Sequence, residues 1–204
     1  MGSPGGSTRR GAYHHGVLPP SRAIPEAISE DVPGNGFLGF AEVALDRTVE
    51  RLPGTDRDAM AMVLLLHRVT NTVIYDLEST VHRPAGWSWS AFRLLFALWV
   101  AGAQDPSRAA ELTGMSRAAV SSLAKTLGAA GLVERTPDAT DRRSVILALS
   151  ESGARRLEAT FEAHNRRETE WARLITDDEL TVLNRVLTKL ADAAQGQGWV
   201  SRRS

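Results

Sequence analysis

The stretch Gly114-Met-Ser-Arg-Ala-Ala-Val-Ser-Ser-Leu-Ala-Lys-Thr-Leu-Gly-Ala-Ala-Gly-Leu-Val-Glu-Arg135 decides the fold. Gly114 suits a left-handed turn, a conformation that a residue without a Cβ adopts at little cost. Ser116 is a helix-capping type, whose hydroxyl can accept from a free amide of the first turn. From Arg117 the apolar residues Val120, Leu123 and Leu127 recur at helical spacing up to about Ala129, and Gly131 stops the pattern. The period then changes. Leu132–Arg135 and Ser144–Leu149 read as strands, and the polar, Pro-containing run between them makes the pair a β-hairpin.

Immediately upstream, Ala103–Pro106 reads as a turn and Ser107–Thr113 as a short helix. Ala109, Ala110 and Leu112 are spaced to pack against Val120, Leu123 and Leu127. Two short helices joined through a Gly turn form a helix-turn-helix, whose second helix enters the major groove of DNA. The outer face of that helix then carries Arg117, Ala118, Ser121, Ser122 and Lys125. Small residues allow close approach to base edges, and Ser can bond bases or phosphates. Arg117 suits bidentate contact with guanine, and Lys125 a phosphate. On the hairpin, Arg135, Asp141, Arg142 and Arg143 extend the same surface. An Arg on a loop tip can enter the minor groove, where the negative potential is enhanced, and Asp141 can orient it through a charge-assisted pair. A polar helix face alone fits any small bundle. Capped helix, Gly turn and basic hairpin together point to a DNA reader.

Residues 88–157 resemble the winged-helix core of the MarR family of bacterial regulators. The resemblance rests on Arg108-Ala-Ala-Glu-Leu112, on Gly114–Leu127, on Gly131-Leu-Val-Glu-Arg135, on Asp141-Arg-Arg143 and on Leu149-Ser-Glu-Ser-Gly153. It implies a homodimer with a helical body and two DNA-binding lobes, with Arg143 as the minor-groove arginine and Asp141 as its partner. The fold class expected is mainly α with a small β-hairpin: a winged helix-turn-helix in a helical homodimer. The N-terminal extension and an extra helix exceed the minimal family core. Some relatives with such a helix respond to urate-like aromatic ligands, but too few positions match here to carry that ligand over.

Working outward, residues 1–36 are rich in Gly, Pro and Ser and read as a disordered extension. A helical stripe covers Phe37–Leu52, ended by Pro53-Gly54, and Thr55 or Asp56 starts a second helix through about Glu78. That helix is apolar over much of its circumference, as dimer burial requires. Ser88 or Ser90 caps a helix through Ala101. Ser150 caps a long helix to about Ile175, and Thr176 with Glu179 forms a capping box for a last helix to about Ala194. The chain therefore divides into residues 37–87 and 151–195 as dimerisation helices, 88–150 as the DNA-binding domain, and 196–204 as a flexible tail.

Lys and Arg total 24 and Asp and Glu total 24, so a DNA face depends on how charge is distributed. Between Ser107 and Arg143 six basic residues face four acidic ones, while Glu151–Gln195 holds seven basic and nine acidic. No cysteine is present, which excludes disulfides, thiolate metal sites and thiol switches. The longest apolar run, Leu94–Ala101, is eight residues, against the roughly 20 a membrane helix needs. A cytoplasmic location is the expectation.

In the resembling family, effectors bind between the dimer helices and the DNA lobe. The side chains suited to such a site here are His67, Thr70, Trp87, Trp89 and Arg93, with Tyr75, His82, Phe92 and Phe96 nearby in sequence. Trp offers a flat face and Arg or His a charge, so an aromatic or anionic ligand is the class implied. Ordinary packing of the joint between lobes is the better account of any one of these residues taken singly. His67, His82 and His164 are widely spaced and share no metal-binding motif, so neither a metal nor a cofactor is expected. Phosphate loops, nucleophile elbows and His-Glu metal motifs are missing, so the chain is not read as an enzyme. The function expected is that of a sequence-specific regulator, a repressor acting as a dimer on a pseudo-palindromic operator. The alternative is a winged-helix protein-interaction module.

Overall fold

The computed structural model describes residues 36–137 and 145–196, and these form two compact units divided between residues 62 and 63. In the first unit, helix α1 (Gly36–Arg51) buries Gly39, Ala41 and Leu45. The Asp46 carboxylate accepts from Arg57 Nη2 at 2.9 Å, which ties α1 to the first turn of α2 (Arg57–Leu77). Of the two caps considered for α2, Asp56 takes the role and accepts from the Ala59 amide at 2.9 Å.

In the second unit α2 ends in a π-turn, Glu78–His82, and the chain then enters α3 (Trp89–Ala101), α4 (Pro106–Thr113) and α5 (Arg117–Ala129). An antiparallel hairpin of β1 (Val133–Pro137) and β2 (Val145–Leu149) follows, then α6 (Glu151–Ala172) and α7 (Asp177–Gly196). The core lies where α3, α5, the hairpin and α6 converge: Leu94, Leu95, Val120, Leu132, Leu147 and Leu157 are almost wholly buried. Gln104 pairs with Leu147 through two backbone hydrogen bonds of 2.9 and 2.8 Å, which fastens the hairpin to the α3–α4 turn.

The caps follow the side-chain chemistry. Ser88, Ser116 and Ser150 each accept from the amide three residues on. Thr176 and Glu179 complete their reciprocal box at 2.8 and 3.3 Å. Three details differ from the sequence expectation. Helix α4 starts at Pro106, because Asp105 accepts from Ser107 and Arg108 while Pro occupies the first helical position, where its missing N–H costs nothing. Helix α6 ends at Ala172 in a turn that precedes Thr176. Leu112 is 44% exposed, whereas Ala109, Val120, Ala124 and Leu127 are buried in the core and Ala110 and Leu123 pack against it. Leu112 points away because Ala109 and Thr113 already fill the inward side of so short a helix.

Helices α2 and α7 leave broad apolar faces uncovered, including Val63, Leu66, Val69, Leu183, Val186 and Leu190. Among the described residues no helix is long and apolar enough to cross a membrane.

Candidate functional site

Two features stand out: the outer face of α5 with the hairpin, and a cavity between α3, α4 and α6. The α5 face is launched by a tight turn. Gly114 adopts φ +65°, the left-handed region, and Ser116 caps the helix by accepting from Ala119 N at 3.1 Å. Arg117, Ala118, Ser122 and Lys125 are all exposed on this face, and Ser121 is half-buried. The helix itself carries no acidic residue, and neither Arg117 nor Lys125 has an ion-pair partner among the described residues. Unpaired cations on a small-residue face are suited to phosphates and guanine edges.

The hairpin stands beside this helix. Val133 pairs with Leu149 and Pro137 with Val145, so the ladder runs the full length of both strands. Arg135 is exposed on β1. Asp141, Arg142 and Arg143 lie outside the described residues. The hairpin base is locked to α6: Ser150 Oγ donates to Gly131 O at 2.6 Å, Ser152 Oγ to the same oxygen at 3.2 Å, and Ser150 N to Leu132 O at 3.1 Å. Gly153 lies so close that a Cβ built on it would sit 2.1 Å from Leu132 O.

The cavity, about 450 Å³, has walls of Trp89, Phe92, Phe96 and Phe161, with Arg93, His164 and Glu168 as its charged or titratable groups and Leu112 and Thr113 contributed by α4. Aromatic rings line it in sequence: Phe92 to Phe96 at 5.9 Å and Phe96 to Phe161 at 5.4 Å between centroids. Arg93 makes no hydrogen bond or ion pair with any described residue, and its buried Nε has no acceptor. An aromatic box beside an unsatisfied guanidinium fits a flat anionic guest.

Of the ligand-site residues suggested by sequence, Trp89 and Arg93 are brought to this cavity. Trp87 is buried in the core beside Arg156, whose guanidinium lies 5.6 Å from the ring. His67 and Thr70 stand exposed on α2, where His67 bonds Asn71 at 3.0 Å, and neither lines the cavity. Sequence reasoning missed Phe161 and Glu168, although with His164 they recur at helical spacing along one face of α6. It also treated His82 and His164 as unrelated. Their rings meet, with Nε2 of His82 3.1 Å from Nδ1 of His164. Below them Asp76 accepts from Arg167 Nε and Nη2, at 2.6 and 2.7 Å, and from Trp171 Nε1. The hydrogen bond from Arg167 holds the Asp76 carboxyl below the ordinary carboxylate range despite partial burial. The described residues contain no group of three or more His, Cys, Asp or Glu side chains that could hold a metal.

Residues 85–144 match the model of the MarR family. The chain is 33% identical over 135 residues to a Bacillus subtilis protein described as an uncharacterized HTH-type transcriptional regulator, YwaE, covering 66% of this chain and 79% of that one. Among solved structures it is similar to a MarR mutant from E. coli complexed with operator DNA, at TM-score 0.60 and 22% identity, over 70% of this chain and 96% of that one. It is also similar to Bordetella bronchiseptica BpsR, whose DNA binding is described as regulated by 6-hydroxynicotinic acid, at TM-score 0.58 and 21% identity, over 62% of this chain and 96% of that one.

Proposed function

The chain belongs to the MarR family of winged helix-turn-helix transcriptional regulators, and on that premise we propose that it is a dimeric repressor that reads a pseudo-palindromic operator and is released by a small aromatic anion. The observation that carries the DNA half is the pairing of a Ser116-capped helix, with Arg117 and Lys125 exposed and unpaired among the described residues, with a β-hairpin locked beside it. Arg117 takes a guanine edge and Lys125 a phosphate. By the family resemblance Arg143, between β1 and β2 in sequence, takes the minor groove with Asp141 as its partner, and Arg142 and Arg135 extend the same basic surface. The uncovered apolar faces of α2 and α7 support the dimer: so many exposed Leu and Val side chains are stable in water only against a partner surface. A two-fold dimer presents its reading helices about one duplex turn apart.

The aromatic cavity beside Arg93 supports the effector half. Trp89 and Phe161 supply flat faces and Arg93 the charge. His67, Thr70 and Trp87 belong to the ligand set only through movement of their elements, so Trp89 and Arg93 are the stronger members.

One assay tests both halves. A duplex selected from a random-sequence pool is titrated with the wild type and with Arg117→Ala. Arg117→Ala should weaken binding by about 1–3 kcal/mol, leave folding intact and relax preference at one base pair. Affinity equal to wild type removes Arg117 from the interface. Repeating the titration with a panel of aromatic acids should lower wild-type affinity with at least one member. A flat response across the panel sinks the release mechanism.

A further inference from the structure

Neither DNA reading nor the effector cavity uses the side chain of His82. It is wholly buried, His164 is 4% exposed, and the two sit where three elements meet. His82 ends the π-turn that continues α2, His164 lies in the middle of α6, and both rings pack on Phe92 of α3 at 4.3 and 4.4 Å. Trp89 of α3 stacks on His82 at 5.5 Å.

The protons of this pair are fixed by its neighbours. Glu168 Oε1 lies 3.0 Å from His164 Nε2, and an ionised carboxylate only accepts, so His164 carries its proton there. The other nitrogen of a neutral imidazole is an acceptor, so His82 Nε2 donates to His164 Nδ1. His82 Nδ1 is then bare, and it has no partner. A proton added at His164 Nδ1 would meet the N–H of His82. One added at His82 Nδ1 would be a buried charge with no acceptor. The joined pair thus takes up a proton less readily than the separated rings do.

We infer that the His82–His164 pair is an acid-operated latch: neutral, it holds the π-turn and α6 against α3, and on acidification it loosens that joint and weakens DNA binding. The inference rests on the regulator reading only for its effect on DNA. The charged groups facing the pair are few. Glu78 of the π-turn is occupied by Arg83 and by the Trp89 amide, both at 3.2 Å. Glu168 of α6 also accepts from Asn165 at 3.0 Å. Arg93 of α3 shares the cavity with His164, and Asp76 of α2 is closed off by Arg167. None offers an acceptor to His82 Nδ1. Consistent with this, burial first and the neighbouring His164 second push His82 down to about 4 from 6.5, against the pull of Glu78. Burial likewise lowers His164, although Glu168 opposes it.

The linkage has a definite sign. His82 protonates near the ordinary value when the rings are apart and only at about 4 when they are joined, so falling pH favours the open joint. Between pH 7.5 and 5.0 the shift is on the order of tenfold.

The Arg83 and Trp87 amides, which donate to Glu78 O and His82 O at 2.8 Å, report the joint by hydrogen exchange corrected for intrinsic rate. Their protection should fall about tenfold from pH 7.5 to 5.0 in the wild type. It should fall clearly less in His82→Gln, whose amide can still donate to His164 but does not titrate, leaving His164 alone to respond. Affinity for the selected duplex should follow the same pattern. Equal losses in the two proteins overturn the latch, as does lost protection with unchanged wild-type affinity. If no duplex emerges from the pool, the regulator reading fails, and the exchange comparison alone still decides the latch. Should His82→Gln not fold, imidazole ¹⁵N shifts of the wild type decide: both rings should be bare at Nδ1 at pH 7.5. Titration of both at the ordinary value, or any other tautomer pair, refutes the inference.

Discussion

The DNA-facing region and the histidine joint are built by opposite kinds of information. From Gly114 to Gly131 almost every structural decision is taken within a few residues: a glycine at φ +65°, a serine that caps three residues ahead, a glycine at φ +71° that ends α5. The joint between α3, the π-turn and α6 is assembled from side chains 82 residues apart, and nothing near either histidine announces the other. Surfaces shaped by short-range rules can be read from one sequence. Buried polar pairs cannot, because the partner is chosen by the fold.

That contrast can be strained from both sides, and the largest test falls where the regions touch. The hairpin looks locally encoded, yet its base presses on α6 at Gly153. Gly153→Ala should cost about 4 kcal/mol or more, since the new methyl would collide with the Leu132 backbone, which no side-chain rotation relieves. Gly114→Ala, with open space around it, should cost only about 1–2 kcal/mol for its left-handed backbone. Thermal unfolding of the two variants measures the gap. Similar melting temperatures would mean that the hairpin stands without α6.

The joint should dominate the response to acid. With His82 depressed to about 4 in the folded chain and near 6.5 when unfolded, its contribution is fully present above about pH 6.5. It is lost progressively as pH falls toward 4, by roughly 3 kcal/mol in all. Denaturant melts of wild type and His82→Gln should therefore converge on acidification. Parallel lines from pH 7.5 to 4.5 would move the acid sensitivity elsewhere.

The smallest effect belongs to the local code. Ser116→Ala removes one capping bond and should cost about 1 kcal/mol in urea melts, with little change in acid response. A loss several times larger would mean that this serine does more than start its helix.

The sequence disclosed the order of elements, three serine caps, the Thr176–Glu179 box and the hairpin, because each is signalled by residue type and spacing. It misplaced the start of α4, since Asp105 and Pro106 resemble a turn as much as a cap followed by a first helical residue. It placed Leu112 inside, since periodicity on an eight-residue helix does not fix which side faces the core. At the cavity, Trp89 and Arg93 could be named because they share a segment, whereas Phe161 and Glu168 come from a helix more than sixty residues on. The π-turn at Glu78–His82 has no signature that we can identify in its residues.

Thr113 lies at the junction of the cavity and the turn before α5. Its hydroxyl donates to Ala109 O at 2.7 Å and accepts from Met115 N at 3.4 Å, while the residue forms part of the cavity wall. A single threonine thus both lines the open cavity and bonds the turn that runs into Ser116. A change in the cavity at α4 would therefore act on a residue that also holds the turn into the reading helix.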